Sequence, residues 1–339
     1  MTDFNVLVTG GAGFIGSNFV RWAHRRHPNW NITTLDKLTY AGRLENLREL
    51  DGSPRHTFVK GDIADREISA PLVRAADYVV HFAAETHVDR SIQSAGEFIT
   101  TDVFGTFVLL EAARESTRLR RFVQISTDEV YGSVPNGHSR ETDELRPRNP
   151  YSASKCGADR LAYSYFATYG VPVIVTRASN NYGSHQFPEK VIPLFVTNAI
   201  DQIPVPLYGD GLNIRDWLHV DDHCRAIELL LDASEPGEVY NIGGGNEVRN
   251  VDLTHRILEL TGRSTSLIRP VPDRPGHDRR YALDTTKLRG LGWAPAVSFE
   301  QGLADTVAWY QENEWWWRPI KERDDAFRAY YQSQYGTRA

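Results

Sequence analysis

The sequence is poor in cysteine and has no long apolar run, and both shortages limit what the protein can be. Among its 339 residues the cysteines are Cys156 and Cys224, and neither belongs to a Cys-x-x-Cys pair. A disulfide framework or a zinc knuckle therefore has little support. No apolar stretch approaches the ~20 residues that cross a bilayer, and no basic segment with a cleavage site opens the chain. We expect a cytoplasmic protein in a reducing compartment.

Basic charge is not concentrated anywhere in the chain. The 38 lysines and arginines are interspersed with 44 aspartates and glutamates, and the net charge is −6. Binding to a phosphate backbone needs a basic block or a basic helix face, so nucleic acid is a poor candidate partner. The contents of 41% hydrophobic and 24% charged residues are those of an ordinary globular protein.

Short apolar runs separated by helical patterns fill the first half of the chain. The runs are FNVLVT, NITTLD, HTFVKGD, YVVHFAA, RFVQIST and VPVIVTRAS, and a helix is predicted from about Phe14 to Arg26. Such runs alternate with helices in parallel sheets that are covered on both faces. The pattern predicts a doubly wound α/β fold.

The composition changes after Ser179 to proline, glycine and aromatic residues, as in FPEKVIPL, IPVPLYGDG and IRPVPDRPGHDRR. This indicates a smaller, loop-rich α/β region. The segments DWLHVDDHCRAIELLLD and EVYNIGGG, however, again have the pattern of a helix and a strand of the first region. We therefore expect two interleaved domains: residues 1–178 with about 217–248 bind a dinucleotide, and residues 179–216 with about 249–339 bind the substrate.

A glycine-rich loop follows the first apolar run, and its sequence is TGGAGFIG. It is read as Gly10/Gly13/Gly16 or as Gly11/Gly13/Gly16. Either set lets backbone N–H groups and a helix N-terminus approach a pyrophosphate, as in a Rossmann dinucleotide site. Asp36 closes the next strand, where a carboxylate would bind the adenosine ribose and repel a 2′-phosphate. NAD is favoured over NADP, although the neighbouring Lys37 blurs the choice.

Two further segments have an open interpretation. Asp62, in VKGDI, either reaches the adenine edge or caps a helix that begins near Ala64. The run His81–Ala84 offers small residues for a close approach to the cofactor, but alone it has the pattern of a buried strand.

Tyr151 and Lys155 are one helical turn apart, so both side chains can emerge on one face. A nearby ammonium stabilises a phenolate and lowers the tyrosine pKa, which would make Tyr151 a base for a sugar hydroxyl. The alternative is a solvated pair on a surface helix. The glycine loop, together with Ser126 and Thr127 at the end of a core strand, favours catalysis.

Asp128 and Glu129 follow Thr127 in the run QISTDEVYG. The repulsion between adjacent carboxyl groups favours one neutral and one ionised form, which supplies an acid and a base together. Elimination of water from a sugar needs both. The alternative is a solvated acidic turn.

Together these motifs resemble the dTDP-glucose 4,6-dehydratase family of extended short-chain dehydrogenase/reductases. Matching segments lie between about Asn5 and Ala282, and they are TGGAGFIGSNF, LDKLTYAG, HFAAETHVDRSI, STDEVYG, YSASK, SNNYG, FPEKVIPL, YGDG-x-x-x-RDWL and RPGHDRRYA. The Thr-Asp-Glu trio is the most diagnostic, since the sibling epimerases generally lack the acid pair. The resemblance implies an NAD-dependent lyase that converts dTDP-glucose to dTDP-4-keto-6-deoxy-glucose and water.

The resemblance also implies a role for each catalytic residue. Tyr151 would deprotonate the C4 hydroxyl while hydride passes from C4 to NAD⁺. Glu129 would then remove the C5 proton, and a protonated Asp128 would donate to the departing C6 oxygen before hydride returns to C6. Thr127 would hydrogen-bond the C4 oxygen, and Lys155 would hold the nicotinamide ribose.

Binding residues are implied motif by motif. Those expected at the cofactor are Gly10, Gly13, Phe14, Ile15, Gly16, Asp36, Lys37, Leu38, Thr39, Asp62, Ile63, Phe82, Ala83, Ala84, Thr101, Tyr151, Lys155 and Asn181. Those expected at the nucleotide sugar are Thr86, Thr127, Asn180, Lys190, Val191, Pro206, Leu207, Tyr208, Arg215, Asn250, Asp273, Arg274 and His277. Arg215 has physical support of its own, because a planar fork suits diphosphate oxygens. His277 rests on RPGHDRR alone.

The chain departs from the family at Asp102, where asparagine is usual. That weakens a cofactor role at this position but leaves Thr101 available. The region between Ser133 and Tyr151 is also shorter than in many relatives, which would trim a loop over the site.

Other conspicuous residues have simpler interpretations. Trp315, Trp316 and Trp317 are expected to anchor a terminal helix on the core. The group His219, His223 and Cys224 lacks a companion cluster, so we expect no metal. Apolar stripes in residues 96–116 and in a helix beginning near Ala153, with the resemblance, lead us to expect a homodimer.

Two other functions compete with the dehydratase. One is a dehydratase, decarboxylase or 4-epimerase that acts on another nucleotide sugar. The other is a catalytically silent NAD-binding sensor or scaffold. A silent protein would be expected to have lost Tyr151, Lys155 or the acid pair, and all four residues are present.

Overall fold

The computed structural model describes residues 3–273 and 275–336. The strands in this part of the chain are Phe4–Thr9 (β1), Trp30–Asp36 (β2), His56–Lys60 (β3), Tyr78–His81 (β4), Arg121–Thr127 (β5), Val173–Ala178 (β6), Asn180–Tyr182 (β7), Val205–Tyr208 (β8), Ile214–His219 (β9), Val239–Ile242 (β10), Glu247–Arg249 (β11) and Ile268–Val271 (β12). Seven of them form a parallel sheet in the order β10-β6-β5-β4-β1-β2-β3. The predicted doubly wound α/β fold is confirmed.

The helices of the described residues are Phe14–Arg26 (α1), Arg66–Ala75 (α2), Val88–Gln93 (α3), Gly96–Phe98 (α4), Thr106–Arg114 (α5), Pro150–Tyr169 (α6), Val191–Ile200 (α7), Val220–Ala233 (α8), Asn250–Leu260 (α9), Thr286–Arg289 (α10), Phe299–Glu312 (α11), Glu314–Arg323 (α12) and Asp325–Tyr335 (α13). A π-helical turn, Ile99–Gly105, joins α4 to α5. Short 3₁₀ turns lie at Leu44–Leu50, Asp128–Tyr131 and Thr265–Leu267.

Both faces of the large sheet are covered because successive strand residues point to opposite sides. Val6 and Val8 of β1 belong to the core layer that includes residues of α1 and α8. Leu7, between them, belongs to the layer that includes residues of α2 and α5. Double coverage explains why the strands have continuous apolar runs rather than alternating ones.

Two predicted helix starts shift by a few residues, and in both cases a cap explains the shift. Helix α6 begins at Pro150 rather than near Ala153, because the Asn149 side chain accepts from the Ser152 N–H and proline suits the first turn. Helix α2 begins at Arg66, not near Ala64, because the Asp65 side chain caps it.

The remaining strands form two small sheets beside the large one. One has the order β11-β9-β7, and the other pairs β12 with β8. Residues of α7, α9, α11, α12 and α13 share one further apolar core with them. Since all strands of the large sheet are parallel, the loops after their carboxyl ends lie on the same edge.

The three consecutive tryptophans do not share one environment. Trp316 and Trp317 are buried, and their indole N–H groups donate to Asn46 Oδ1 at 2.8 Å and to Tyr310 O at 2.7 Å. The packing role is confirmed for these two. Trp315 is 49% exposed, and the expectation that it anchors the helix is wrong because its ring faces outward beneath Arg48.

Within the described residues, no helix is both long enough and apolar enough to cross a membrane.

The tryptophans give a matched test of this packing. Replacing Trp316 with alanine should lower the free energy of unfolding by about 3–5 kcal/mol, since it opens a cavity and orphans the Asn46 carbonyl. Replacing Trp315 should cost under about 1 kcal/mol. Urea unfolding followed by circular dichroism measures both. Equal losses would contradict the assignment of Trp316 as the anchor.

Candidate active site

A cleft lies at the carboxyl edge of the large sheet, and the loops after β1, β2, β4, β5 and β6 line it. Seventeen of the eighteen residues predicted for the cofactor are found there; they are Gly10, Gly13, Phe14, Ile15, Gly16, Asp36, Lys37, Thr39, Asp62, Ile63, Phe82, Ala83, Ala84, Thr101, Tyr151, Lys155 and Asn181. Leu38 does not line the cleft. Its side chain packs against the core layer of α1, and its backbone, with φ of 57°, donates to the Asp36 carboxylate.

The N-terminus of α1 opens into the cleft without a side chain that caps it. Gly13 is the N-cap residue and makes no side-chain hydrogen bond, and the first turn contains no acidic residue. A Cβ on Gly16 would collide with the Gly10 carbonyl, and Gly10 itself has φ of 68°. The free N–H groups and the positive end of the helix dipole suit a pyrophosphate.

Asp36 is held rigidly at the end of β2. Its carboxylate accepts from Ala12 N at 2.9 Å and from Leu38 N at 2.8 Å. Burial raises the pKa of Asp36, and these two backbone hydrogen bonds oppose the rise. A carboxylate has lone pairs to spare after two bonds, so it can still accept from ribose hydroxyls.

Lys37 and Asp62 form an ion pair across the cleft mouth, with Nζ to Oδ2 at 2.7 Å. The second Asp62 oxygen accepts from Ala64 N at 2.9 Å. Asp62 therefore does not cap α2, where Asp65 does so, and the helix-cap interpretation is wrong. Because Lys37 is already paired, it offers a 2′-phosphate less attraction than the sequence suggested.

Several buried polar groups that line the cleft lack a partner in the part of the chain that the structure describes. They are Ser126 Oγ, Asp128 Oδ2, Asn180 Oδ1 and Gln186 Oε1. Buried polar groups are nearly always hydrogen-bonded, so these atoms indicate a polar ligand in the cleft. With the helix N-terminus and Asp36, they fit a dinucleotide and a hydroxyl-rich substrate.

The acid pair lies where β5 ends, inside the cleft. Thr127 Oγ1 accepts from Glu129 N at 3.3 Å and donates to Asp128 Oδ1 at 3.2 Å. Asp128 is 3% exposed, so the solvated-turn interpretation is wrong. Burial, followed by the charges of Glu129 and Asp216, raises the pKa of Asp128 well above its usual range. Its protonated form is therefore favoured.

Tyr151 and Lys155 both face the cleft from α6. Lys155 is buried and its Nζ donates to Ile125 O at 2.7 Å, so this is not a solvated surface pair. The predicted lowering of the Tyr151 pKa by Lys155 is wrong. Burial of the phenol raises the Tyr151 pKa well above its ordinary value, and the charges of Glu129, Asp102 and Asp128 add to this rise. A hydrogen bond with Thr127 lowers the pKa and so opposes the rise.

Asp102 is buried in the π-helical turn and connects two parts of the site. Its carboxylate accepts from Ser154 Oγ at 2.6 Å and from Glu85 N at 2.7 Å. Burial raises the pKa of Asp102 to about 6, and the Lys155 charge opposes that rise. Sequence reasoning treated Asp102 only as a departure. The available signal was an acidic residue within an otherwise apolar helical stretch.

A second pocket continues from the acid pair, since Glu129, Asn180 and Lys190 line both cavities. Of the residues predicted for the nucleotide sugar, Thr86 and Thr127 line the first cavity, and Val191, Pro206, Leu207, Tyr208, Arg215, Asn250 and His277 line the second. Asp273 does not line it but contacts His277 Nδ1 at 2.6 Å. Arg274 lies outside the described residues.

Arg215 is fixed in the second pocket by groups that the sequence did not reveal. It donates to Ile214 O at 2.7 Å and to Asp278 O at 3.0 Å, and its guanidinium stacks on Tyr281 at 4.5 Å. The Tyr281 hydroxyl donates to Asp278 Oδ2 at 2.7 Å. Asp278 and Tyr281 both stand within RPGHDRRYA, so the motif identified this segment but not the role of these two residues.

Several other cleft residues lie within or beside the quoted motifs, but the sequence assigned no binding or catalytic role to them. They are Tyr40, Glu85, His87, Ser126, Ser179, Gln186, Glu189 and His223. Among the described residues, no cluster of three or more histidine, cysteine, aspartate or glutamate side chains could hold a metal. His223 instead contacts Asn181 Oδ1 through Nδ1 at 2.9 Å, and Cys224 is buried in the core.

Known proteins resemble the chain over nearly its whole length. The family model of GDP-mannose 4,6 dehydratase matches residues 7–306. A dTDP-glucose 4,6-dehydratase from Streptomyces niveus is 53% identical over 95% of this chain and 97% of its own.

Solved structures agree with these sequence relatives. The crystal structure of DesIV, a dTDP-glucose 4,6-dehydratase from Streptomyces venezuelae with NAD and dTDP bound, has a TM-score of 0.91, is 52% identical, and covers 94% of this chain and 100% of its own. The dTDP-glucose 4,6-dehydratase of Bacillus anthracis, in complex with NAD, has a TM-score of 0.88 at 48% identity over 94% of this chain and 100% of its own. The chain belongs to the dTDP-glucose 4,6-dehydratase family.

Proposed function

We propose that this protein is an NAD-dependent dTDP-glucose 4,6-dehydratase, a hydro-lyase that forms dTDP-4-keto-6-deoxy-glucose and water. The observation that carries the proposal is the acid pair of buried Asp128 and partly exposed Glu129, which lines the same cleft as Tyr151. Relatives named for this activity over almost the full chain support it.

The residues around α1 would hold NAD. Gly13 and the first turn of the helix would receive the pyrophosphate, and Asp36 would accept from the adenosine ribose. Asp62 and Ile63 line the cleft beyond Asp36 and would border the adenine. When bound, the cofactor supplies a hydride acceptor for C4 of the sugar and a hydride donor for C6.

Elimination needs a proton donor and a proton acceptor on neighbouring carbons, and the acid pair supplies both. Asp128 holds a proton because burial and the adjacent Glu129 raise its pKa, so it can protonate the departing C6 oxygen. Glu129 is partly exposed to the cleft and accepts from Ser152 Oγ at 3.2 Å. It would remove the C5 proton, which a carbonyl at C4 acidifies.

Tyr151 would accept the C4 hydroxyl proton, against the negative charge around it. Protonation of Asp128 removes one of the three carboxylates that raise the Tyr151 pKa. Thr127, whose hydrogen bond favours the phenolate, would also contact the C4 oxygen. The acid that protonates the leaving group thereby assists the base that starts the reaction.

Lys155 would hold the nicotinamide ribose, and Asp102 keeps it charged there. Burial lowers the Lys155 pKa, whereas the carboxylates of Asp102 and Asp159 raise it. Without a nearby negative charge, a buried lysine would tend to lose its proton.

The second pocket would hold the rest of the nucleotide sugar. Asn180 and Lys190 line both cavities, and Thr86 of the first cavity accepts from Lys190 Nζ, so the sugar and diphosphate would lie here. Arg215 and Asn250 would bind the diphosphate, and Pro206, Leu207 and Tyr208 would border the base. We accordingly propose that residues 1–178 with about 217–248 serve the dinucleotide and the remainder serves the nucleotide sugar. We also propose a cytoplasmic location, which suits two free thiols.

Product analysis tests the proposal directly. Purified protein is incubated with dTDP-glucose and, separately, with UDP-glucose, and the products are identified by mass spectrometry. The proposal requires loss of one water from the thymidine sugar. Dehydration of UDP-glucose alone would instead favour another nucleotide sugar, and an unchanged mass with an inverted C4 would mark an epimerase.

We also propose a homodimer, because large apolar side chains are exposed on neighbouring helices. They lie on the helical stretch from α4 to α5 and on α6, and they are Ile99, Phe104, Phe107, Tyr163 and Tyr169. Helices of this kind pair across a two-fold axis by burying such faces.

Phe104 gives the test of the dimer. Phe104→Asp should convert the dimer to a monomer in sedimentation equilibrium, because a charge would have to be buried in the interface. Leu260→Asp, at an exposed leucine on α9, is the control and should leave the mass unchanged. A monomeric wild-type protein would contradict the proposal.

Glu129→Gln should stop the reaction after C4 oxidation. The amide cannot take the C5 proton, so turnover should fall by about 10²–10⁴-fold while reduced nicotinamide accumulates on adding substrate. Its near-ultraviolet absorbance measures the accumulation. Glu144→Gln, at an exposed glutamate, is the control and should turn over normally. Full turnover by Glu129→Gln would rule out its role as the C5 base.

Asp102→Asn should change how stability depends on pH. The carboxyl titrates near 3.8 when unfolded and near 6 when folded, so the folded state holds the proton longer. The wild type should therefore lose stability relative to Asp102→Asn as the pH rises from about 4 to about 6, by up to about 3 kcal/mol. Urea unfolding of both proteins across this range measures the difference. A difference that is independent of pH would show that Asp102 is not buried as a titrating acid.

A further inference from the structure

The C-terminal helix α13, in a region without a recognisable motif, reaches the second pocket. Tyr335 lines that pocket together with Pro206, Leu207, Asn250 and His277. It is buried although it stands in the last turn of α13.

Three aromatic rings meet at this end of the pocket. The Tyr208 ring centroid is 6.1 Å from that of His277 and 6.1 Å from that of Tyr335, with interplanar angles of 77° and 44°. A group of rings at different angles offers both faces and edges to a flat ligand. Nucleic-acid bases stack on such rings whatever their hydrogen-bonding edges.

Hydroxyl groups connect α13 to two other walls of the pocket. Gln334 Nε2 donates to the Tyr208 hydroxyl at 2.6 Å, and that hydroxyl donates to Asp89 Oδ2 at 3.2 Å. The Tyr330 hydroxyl donates to the same Asp89 oxygen at 3.3 Å. Asp89, in the first turn of α3, therefore joins α13 to β8.

Arg90 extends this connection to the first cavity. Its guanidinium lies 4.7 Å from the Tyr330 ring and 4.0 Å from the Tyr40 ring. Its Nε and Nη2 both donate to Oε2 of buried Glu189, at 3.0 and 2.9 Å. Tyr40 and Glu189 line the first cavity. Helix α13 is thus linked, through Tyr330 and Arg90, to two residues that line the first cavity.

The helix is also firmly docked. Phe327 is buried in the core shared by α7 and α12 and meets Phe187 with ring centroids 6.1 Å apart. At the other end, Arg269 donates to the Tyr335 carbonyl. Because both ends are held, the position of the Tyr335 ring is defined.

We propose that α13 forms a wall of the nucleoside pocket and that Tyr335 is a nucleoside-binding residue whose ring packs against the base. This rests on the proposed function for the identity of the nucleotide, dTDP. The residues assigned from motifs border the base from β8 and from the loop after β12, and Tyr335 closes the side that those motifs leave open.

Calorimetric titration with dTDP tests the proposal without turnover. Tyr335→Ala should raise the dissociation constant for dTDP by about tenfold, the loss expected for one aromatic contact. Tyr335→Phe keeps the ring and should bind within about threefold of the wild type. Arg328→Ala is the control, since Arg328 lies on the same helix, is exposed and does not line the pocket.

Weaker binding confined to Tyr335→Ala supports the wall, and equal weakening by Arg328→Ala would overturn it by showing that the loss is not specific to the Tyr335 ring. Unchanged binding by Tyr335→Ala would also overturn it. If the wild type binds UDP and not dTDP, the proposed function fails, and the same three variants titrated with UDP still decide whether Tyr335 contacts the base.

Discussion

The site depends on a buried carboxyl group, that of Asp128, which lies next to the carboxyl group of Glu129 at the carboxyl edge of a parallel sheet. Removing an ionised carboxylate from water costs several kcal/mol unless partners compensate, and two neighbouring charges cannot both be accommodated cheaply. Asp128 responds by holding its proton, since burial and the charges of Glu129 and Asp216 raise its pKa. Glu129 is partly open to the cleft and accepts a hydrogen bond from Ser152 Oγ. The two consecutive residues thus differ in burial, and this difference in position suits Asp128 to act as the acid and Glu129 as the base in the proposed reaction.

The fold places the acid pair at the end of β5 and surrounds it with other polar and charged groups. Seven parallel strands bring their carboxyl ends to one edge, so the N-terminus of α1, the Asp36 carboxylate and the acid pair share a cleft. The same edge concentrates negative charge, since Glu85 lies beside Asp102, and Glu129 and Asp216 lie near Asp128. Lys155 and Arg215 are the cations that moderate the pKa values of Asp102 and Asp128.

The sequence predicted the elements and the motif-bearing residues well because those depend on local patterns. Strand runs, the bounds of α1 and the glycine loop follow from hydrophobic periodicity and from backbone positions where a Cβ does not fit. Electrostatic consequences were predicted less well. The pKa of Tyr151 depends on Asp102, Asp128 and Glu129, which arrive from two other segments of the chain. Spacing along one helix, which suggested help from Lys155, carries no information about those charges.

Some residues of the site were missed because their partners are distant in sequence, and Asp102 is the main example. Asp102 belongs to none of the recognised motifs, yet its carboxylate accepts from Ser154 on α6 and from Glu85 in the loop after β4. It therefore fixes the helix that carries Tyr151 against the loop that lines the cofactor cleft. Asparagine has a single amide oxygen, so it could accept only one of these two bonds, and it would hold no negative charge beside Lys155. The Asp102 charge opposes the lowering of the Lys155 pKa by burial and also raises the pKa of Tyr151, so one residue acts on both members of the proposed Tyr151–Lys155 pair.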